Sequence, residues 1–287
     1  MSVRIGIIGT DGGSKSGHAV EICRIISGRT DAEVSAIFGE DKECTKQLYE
    51  TGTVLGIAET PEELAAASDA VMILNRDGRK HIKYAMPFLE KGIPVFIDKP
   101  MTCDVGEARM LHNAARKNNA ILMGGSYMKY SEGIAELKKG LSEVGNIQSG
   151  YFSFPIFLNS EHGGLHFYSH HLIEEMLEVF GDGVEYISAE LTGGKLTATA
   201  HYKNFPVIMN YAVAFPAFYA AVYGEKTSMA KNISTDGLDA AQADRFINAV
   251  KCKKSESDCG GRMVSAVKIS CAIEKAIKEN KRINIQM

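Results

Sequence analysis

The stretch Ile93-Pro94-Val95-Phe96-Ile97-Asp98-Lys99-Pro100 decides the fold. A short apolar run delivers an acid and a lysine, and a proline stops the strand. In an open α/β sheet, ligands bind at such carboxyl tips of strands. A lysine fixed there can hold a cofactor or move a proton. The flanking sequence repeats the pattern. Val3–Ile8, Glu33–Phe38, Ala70–Leu74, Val95–Ile97 and Ala120–Met123 read as mostly apolar strands. His18–Ile26, Cys44–Glu50, Pro61–Ala67, Ile82–Lys91 and Val105–Lys117 read as the helices between them. Apolar strands alternating with helices imply a parallel sheet covered on both faces.

Beyond Gly124-Gly125 the pattern changes. A helix around Gly133–Leu141, a strand at Gln148–Phe157 and a helix ending near Val179 come first. Tyr186–Leu191, Lys195–Tyr202, Val207–Phe215 and Ala217–Tyr223 then read as consecutive strands, with Lys203-Asn204 as a hairpin turn. That run predicts a mostly antiparallel sheet. The fold class is α/β. A Rossmann-type, doubly wound parallel sheet occupies residues 1–124, and an α+β domain with an open, mostly antiparallel sheet occupies 125–287. Val207–Phe215 is apolar on both faces apart from Asn210. Such a strand needs a cover: a partner subunit is the simplest one, which predicts a homodimer or homotetramer through this sheet, and a helix of the same chain, Ala240–Val250 or Met263–Lys278, is the other.

Composition narrows the function. The 287 residues carry a formal net charge of −3 and no basic block, which argues against a nucleic-acid partner. No apolar run is long enough to span a bilayer, and Met1-Ser2-Val3-Arg4 opens directly into a strand rather than a signal peptide. The six cysteines are scattered without a CxxC pair and read as free thiols of a cytoplasmic chain.

Gly9-Thr10-Asp11-Gly12-Gly13-Ser14-Lys15-Ser16-Gly17 joins the first strand to the first helix, where dinucleotide folds place a pyrophosphate. Asp11 stands where the second glycine of G-x-G-x-x-G belongs; one added residue restores a glycine-rich reading through Gly9, Gly12 and Gly13. The same residues approach a P-loop, except that Ser14 replaces its glycine before Lys15-Ser16. A plain tight turn is the third reading. The acid that grips an adenosine ribose is expected at the end of the second strand. Gly39 occupies its usual place, with Glu40 and Asp41 just after it, and both NAD and NADP remain open.

Asn75-Arg76, His81, Lys91-Gly92-Ile93-Pro94-Val95 and Asp98-Lys99-Pro100 together resemble the H…A..AL..GKHV..EKP signature of the glucose-fructose oxidoreductase / inositol dehydrogenase / rhizopine-catabolism (Gfo/Idh/MocA) family. Gly145-Asn146-Ile147 resembles that family's entry to its second domain. Gly163-Gly164, with the helix ending Val179-Phe180-Gly181, resembles its GG…D-x-G-x-H…LFG segment. The resemblance implies a bound nicotinamide cofactor, NAD or NADP, and a small-molecule substrate, with hydride transfer to or from a hydroxyl-bearing carbon of a sugar, cyclitol or related compound.

By this resemblance, Lys99 orients and polarises the substrate, and His171 donates or accepts its proton. Gly9, Thr10, Gly12, Gly13, Glu40, Asn75, Arg76, His81, Asp98, Lys99 and Pro100 are the cofactor-side candidates. The resemblance places Phe167 on the family's aspartate, and His166, Tyr168 and His170 are the substrate-side groups that can replace it. That substitution keeps a second reading open, a catalytically inactive dinucleotide- or sugar-binding regulatory protein. His162, His166, His170 and Glu174, spaced by four, also form a stripe with metal-ligand character. The sequence otherwise names no metal.

Overall fold

The computed structural model describes residues 2–11, 17–254 and 259–285. The chain forms two compact units, one of Met1–Thr102, Gly106–Gly125 and Asp239–Gly261, the other of Cys103–Val105, Ser126–Leu238 and Arg262–Met287.

The first unit is built on β1 (Val3–Ile8), β2 (Ala32–Phe38), β3 (Ala70–Ile73), β4 (Val95–Asp98) and β5 (Leu122–Gly125). All their pairings are parallel, in the order β2-β1-β3-β4-β5. An isolated parallel bridge from Ile57 to Ile37 extends the outer edge of β2. With that bridge as a residual strand, the order becomes that of the Rossmann sheet, 3-2-1-4-5-6. The crossover direction reverses between β1 and β3, where Leu74 N–H donates to Ile8 O at 2.7 Å. A crevice at the carboxyl ends of those strands is the ligand position of such sheets.

The connecting helices are α1 (His18–Ser27), α2 (Lys42–Tyr49), α3 (Pro61–Ala67), α4 (His81–Glu90) and α5 (Val105–Lys117). α1 buries Ala19, Ile22, Cys23 and Ile26, one stripe at helical spacing. α3 starts where Thr60 caps it, its hydroxyl accepting from Glu63 N–H at 3.2 Å, with Pro61 in the first turn.

The second unit contains α6 (Glu132–Lys139), α7 (Leu141–Val144), β6 (Ile147–Ser153), α8 (His166–Phe180), β7 (Val184–Thr192), β8 (Lys195–Tyr202), β9 (Pro206–Asn210), β10 (Tyr219–Gly224) and β11 (Ser228–Asn232). After α9 (Leu238–Cys252) and α10 (Cys259–Glu279), the short β12 (Ile283–Asn284) completes a seven-stranded sheet, ordered β11-β10-β6-β9-β8-β7-β12. Every pairing is antiparallel except β6 with β9. Leu172, Ile173, Met176 and Leu177 of α8 share a core with Phe152, Val207, Met209 and Ala220 from one sheet face.

Three features differ from the sequence pattern. The strand read over Val207–Phe215 ends at Asn210, whose side-chain oxygen accepts from Ala212 N–H at 2.9 Å and turns the chain out of the sheet. β11 is invisible to an apolar pattern, because Ser228–Asn232 is a polar edge strand. A single cut at residue 124 assigns the C-terminal helices to the second domain, whereas Asp239–Gly261 lies in the first unit, with Phe246 edge-on to Phe96 at 5.6 Å.

Candidate active site

In the first unit, the tips of β1, β3 and β4 converge. Gly9 has φ +103, and a Cβ there would overlap the backbone nitrogen of Asn75. The first tip is therefore open only to glycine. Asn75 is buried, and its Oδ1 has no hydrogen-bond partner among the described residues. Arg76 N–H donates to Asp11 Oδ2 at 3.3 Å, which turns that acid toward the β3 tip. Gly12 and Gly13, with the Ser14-Lys15-Ser16 of the P-loop reading, lie outside the described residues.

His81, fully buried at the start of α4, ties two of these tips together. Its Nδ1 lies 2.7 Å from Pro100 O and its Nε2 lies 2.7 Å from Asn75 O. Burial lowers its pKa, against the carbonyl contacts and Asp98, which favour the imidazolium. The Lys99-Pro100 peptide is cis. Lys99 is 4% exposed, and burial lowers its pKa; Asp98 opposes that shift and Arg76 adds to it. Asp98 Oδ1 is buried without a hydrogen-bond partner among the described residues, 3.6 Å from His18 Nδ1 at the start of α1. A buried ammonium beside an orphaned carboxylate oxygen is expensive unless the position serves a ligand.

Farther along the same edge, Thr10 and Glu40 have partners of their own. The Thr10 hydroxyl is 2.8 Å from that of Thr45. Glu40 accepts from Lys80 at 2.7 Å, Lys83 at 3.1 Å and the Tyr84 hydroxyl at 2.5 Å. These partners, Lys80 first, hold its carboxyl down to about 2.

In the second unit the polar groups hang on α8. Residues from His166 to Val179 are buried around most of this helix, so each polar side chain needs a partner inside the protein. His171 Nδ1 lies 2.8 Å from Ser126 Oγ, and that oxygen also accepts from Met128 N–H at 3.2 Å. An aromatic layer encloses the imidazole: Phe154 at 4.7 Å, Tyr127 at 5.5 Å and Tyr168 at 5.6 Å between ring centroids. Phe157, which packs on Tyr168 at 5.1 Å, also lines an open cleft of about 630 Å³ along residues 156–162.

The other substrate-side histidines turn away from His171. His166 Nδ1 and His170 Nε2 both lie 3.1 Å from Ser270 Oγ on α10. They form a buried polar seam between two helices, and burial pushes the His166 pKa down to about 4. The residues of the metal-like stripe likewise have protein partners. His162 precedes the helix and packs on Phe167 at 5.1 Å, and Glu174 accepts from buried Lys129 at 2.8 Å. Phe167 itself stacks edge-on to Tyr168 at 4.7 Å, an apolar ring where the resemblance expects a carboxylate. Sequence spacing does not reveal Ser126, Lys129 or Ser270, because each pairs across 45 or more residues.

A buried lysine at a strand tip of a doubly wound sheet defines a dinucleotide-type fold with ionisable groups at its ligand edge. Residues 3–126 match the model of the oxidoreductase family with an NAD-binding Rossmann fold, GFO_IDH_MocA. Inositol 2-dehydrogenase from Agrobacterium fabrum is 29% identical over 143 residues, 49% of this chain and 42% of that protein. Inositol 2-dehydrogenase 4 from Saccharopolyspora erythraea is 26% identical over 162 residues, 56% of this chain and 45% of that protein. The chain thus spans less than half the length of these curated relatives. The structure of myo-inositol 2-dehydrogenase from Lactobacillus plantarum superposes with a TM-score of 0.84 at 15% identity, covering 100% of both chains. That of scyllo-inositol dehydrogenase from Lactobacillus casei, with bound NAD(H) and scyllo-inositol, gives 0.82 at 15% identity over 99% of each. At this identity the likeness is one of fold. Among the described residues, no helix is long and apolar enough to cross a membrane.

Proposed function

We propose that this protein is a cytoplasmic NAD(P)-dependent oxidoreductase acting on a hydroxyl-bearing carbon of a sugar, cyclitol or related small molecule. The observation that carries the reading is Lys99, a buried ammonium at the carboxyl tip of β4 in an NAD-binding Rossmann domain. The residues present fit the dinucleotide. The Gly9 tip admits no side chain, and the orphaned oxygens of Asn75 and Asp98 await donors. Gly9, Asn75, Arg76, His81, Asp98, Lys99 and Pro100 form the cofactor side of this reading. The cofactor, when bound, supplies the hydride acceptor or donor.

The chain's own residues do the rest. Lys99 donates a hydrogen bond to the substrate oxygen and stabilises negative charge as the hydroxyl proton leaves. Its lowered pKa makes that ammonium a better acid. His171 takes or returns the proton at Nε2, with Ser126 fixing the ring through Nδ1. Tyr168 stands beside that imidazole and contributes a hydroxyl in place of the carboxylate that Phe167 replaces.

Association of copies belongs to the same proposal. Tyr151, Ile208 and Tyr223 share the sheet face opposite the core by their register, and Ile208 is 38% and Tyr223 44% exposed. A second copy of the chain seated there removes that apolar surface from water.

Phe167 also supports a second reading, a dinucleotide- or sugar-binding regulator without turnover. A panel of polyols and sugars with NAD or NADP, followed at the nicotinamide absorbance, separates the two. Turnover of any member supports the enzyme, whereas saturable cofactor binding without turnover across the panel supports the regulator. For the enzyme, Ser126→Ala is expected to lower kcat about 10-fold with a smaller change in KM. It should also displace the limb of the kcat–pH profile that reports His171. An unmoved limb would remove Ser126 from the mechanism.

A further inference from the structure

Aromatic rings surround His171 in the second unit. Phe154, Tyr127 and Tyr168 pack on its imidazole, and Phe154 in turn stacks on Phe218 at 4.8 Å. Phe167, edge-on to Tyr168, adds a further ring where the resemblance expects a carboxylate. Among the described residues, the exposed phenylalanines are Phe157 and Phe215, at 55% and 66%. Both join this same stack. Phe157 packs on Tyr168 at 5.1 Å, and Phe215 packs on Phe218 at 5.2 Å. Phe215 also lies in the apolar run Ala212-Val213-Ala214-Phe215-Pro216-Ala217, all exposed except the half-buried Val213. Exposed phenylalanine is thus concentrated on the rings that enclose His171, and apolar surface gathered in this way marks a ligand or partner site.

The cleft along residues 156–162 gives that surface a shape. Ile156, Phe157 and Leu158 supply its apolar side, while Glu161 and His162 add polar groups. Its volume of about 630 Å³ falls among small-molecule sites, which span roughly 300–1,000 Å³. A bare polyol matches such a surface poorly. Each hydroxyl laid against Phe157 or Phe167 gives up hydrogen bonds to water and gains none from the ring. An aromatic group matches it well, because rings pack edge-to-face or offset on other rings and leave water readily. The cleft wall and the histidine are one ring apart, since Tyr168 touches both Phe157 and His171. A single molecule can therefore engage both.

We infer that the substrate is a hydroxyl compound bearing an aromatic ring, an aryl glycoside being the simplest form: its hydroxyl carbon lies at His171 and its ring packs on Phe157. This rests on the oxidoreductase reading of His171 and adds to it the substrate class.

Turnover of matched glycosides by the full chain, with NAD+ or NADP+, tests it. Methyl and phenyl β-glycosides of glucose, galactose and mannose present the same hydroxyls without and with the ring. In the best pair, kcat/KM for the phenyl compound should exceed that for the methyl compound by about 10-fold or more, chiefly through KM. Phe157→Ala, at an exposed position, should bring that ratio to about threefold or less, and Phe157→Trp should keep it. Equal turnover of both members by wild-type protein, a ratio that Phe157→Ala leaves unmoved, or turnover confined to free polyols overturns the inference while the oxidoreductase reading stands. If neither these pairs nor the polyol panel turns over, the oxidoreductase reading fails by itself. Calorimetric titration with the phenyl and methyl glycosides then decides the ring site separately. Phenyl binding about 10-fold tighter than methyl, and weakened by Phe157→Ala, supports it. Equal or absent binding removes it.

Discussion

Lys99→Met is expected to lower kcat/KM for the polyol or sugar substrate by about 10²–10³-fold, a loss of roughly 3–4 kcal/mol of transition-state stabilisation. Methionine keeps the length and apolar bulk of the lysine stem, so the buried slot at the β4 tip stays filled. Only the ammonium is lost. In wild-type protein that charge is held out of water at 4% exposure, and Asp98 is the carboxylate that favours it there. Charge stabilisation in so dry a site is worth far more than at a surface, and most of it is realised only when the substrate oxygen becomes anionic. The desolvation relieved at Lys99 is offset by the buried Asp98 carboxylate left without this cation, so the melting temperature should fall, and rates are compared at a temperature where both proteins are folded. Lys99→Arg is the informative companion. A planar guanidinium does not reproduce a compact ammonium in a closed slot, so it should also lose most activity. Steady-state rates within threefold of wild type for Lys99→Met would sink the catalytic assignment and leave Lys99 as a structural cation.

The fold was legible in the sequence wherever burial leaves a local pattern. β1, β3 and β4 are buried nearly throughout, so their apolar runs mark a parallel sheet, and Pro100 marks where β4 stops. β11 was illegible because an edge strand with alternating exposed residues looks like a loop. The site shows the same division. His81 is singled out only by the family resemblance, whereas a charge pair at a strand tip can be located from the strand pattern alone. The partners cannot: Ser126 meets His171 across 45 residues, and Ser270 meets His166 across 104. The available hint was compositional. His166–Phe180 alternates apolar and ionisable residues around its whole circumference, which no half-exposed helix does, and so it requires buried partners from elsewhere. That hint separates neither His171 from His166 and His170 nor Glu174 from Glu175. Only tertiary contact does.

Glu174 and Glu175 show how much those contacts decide, and they lead to the second large effect. Both are buried on α8. Burial works to raise the pKa of each. For Glu174, the Lys129 ammonium and His170 overcome it, and the net shift is downward. Glu175 has no such partner: its Oε1 is unpaired among the described residues, and burial pushes the carboxyl up to about 8. The neighbouring titratable group is Tyr211, itself buried and driven upward by burial and by Glu175. The sign of the linkage follows. A folded-state pKa raised above the ordinary 4.5 means the native protein holds a proton that the unfolded chain has released. The associated stability is complete below about pH 4.5 and is lost as pH rises toward 8. Glu175→Gln replaces the neutral acid with a neutral isostere that never ionises. It should match wild type near pH 5 and exceed it increasingly above, by on the order of 3 kcal/mol at pH 8. Urea denaturation at pH 5, 6, 7 and 8 measures this. Wild-type stability should decline across the series more steeply than that of Glu175→Gln. Two curves that stay parallel from pH 5 to 8 would mean that Glu175 is ionised in the folded protein. An unrecognised cation would then have to stand beside it, as Lys129 stands beside Glu174.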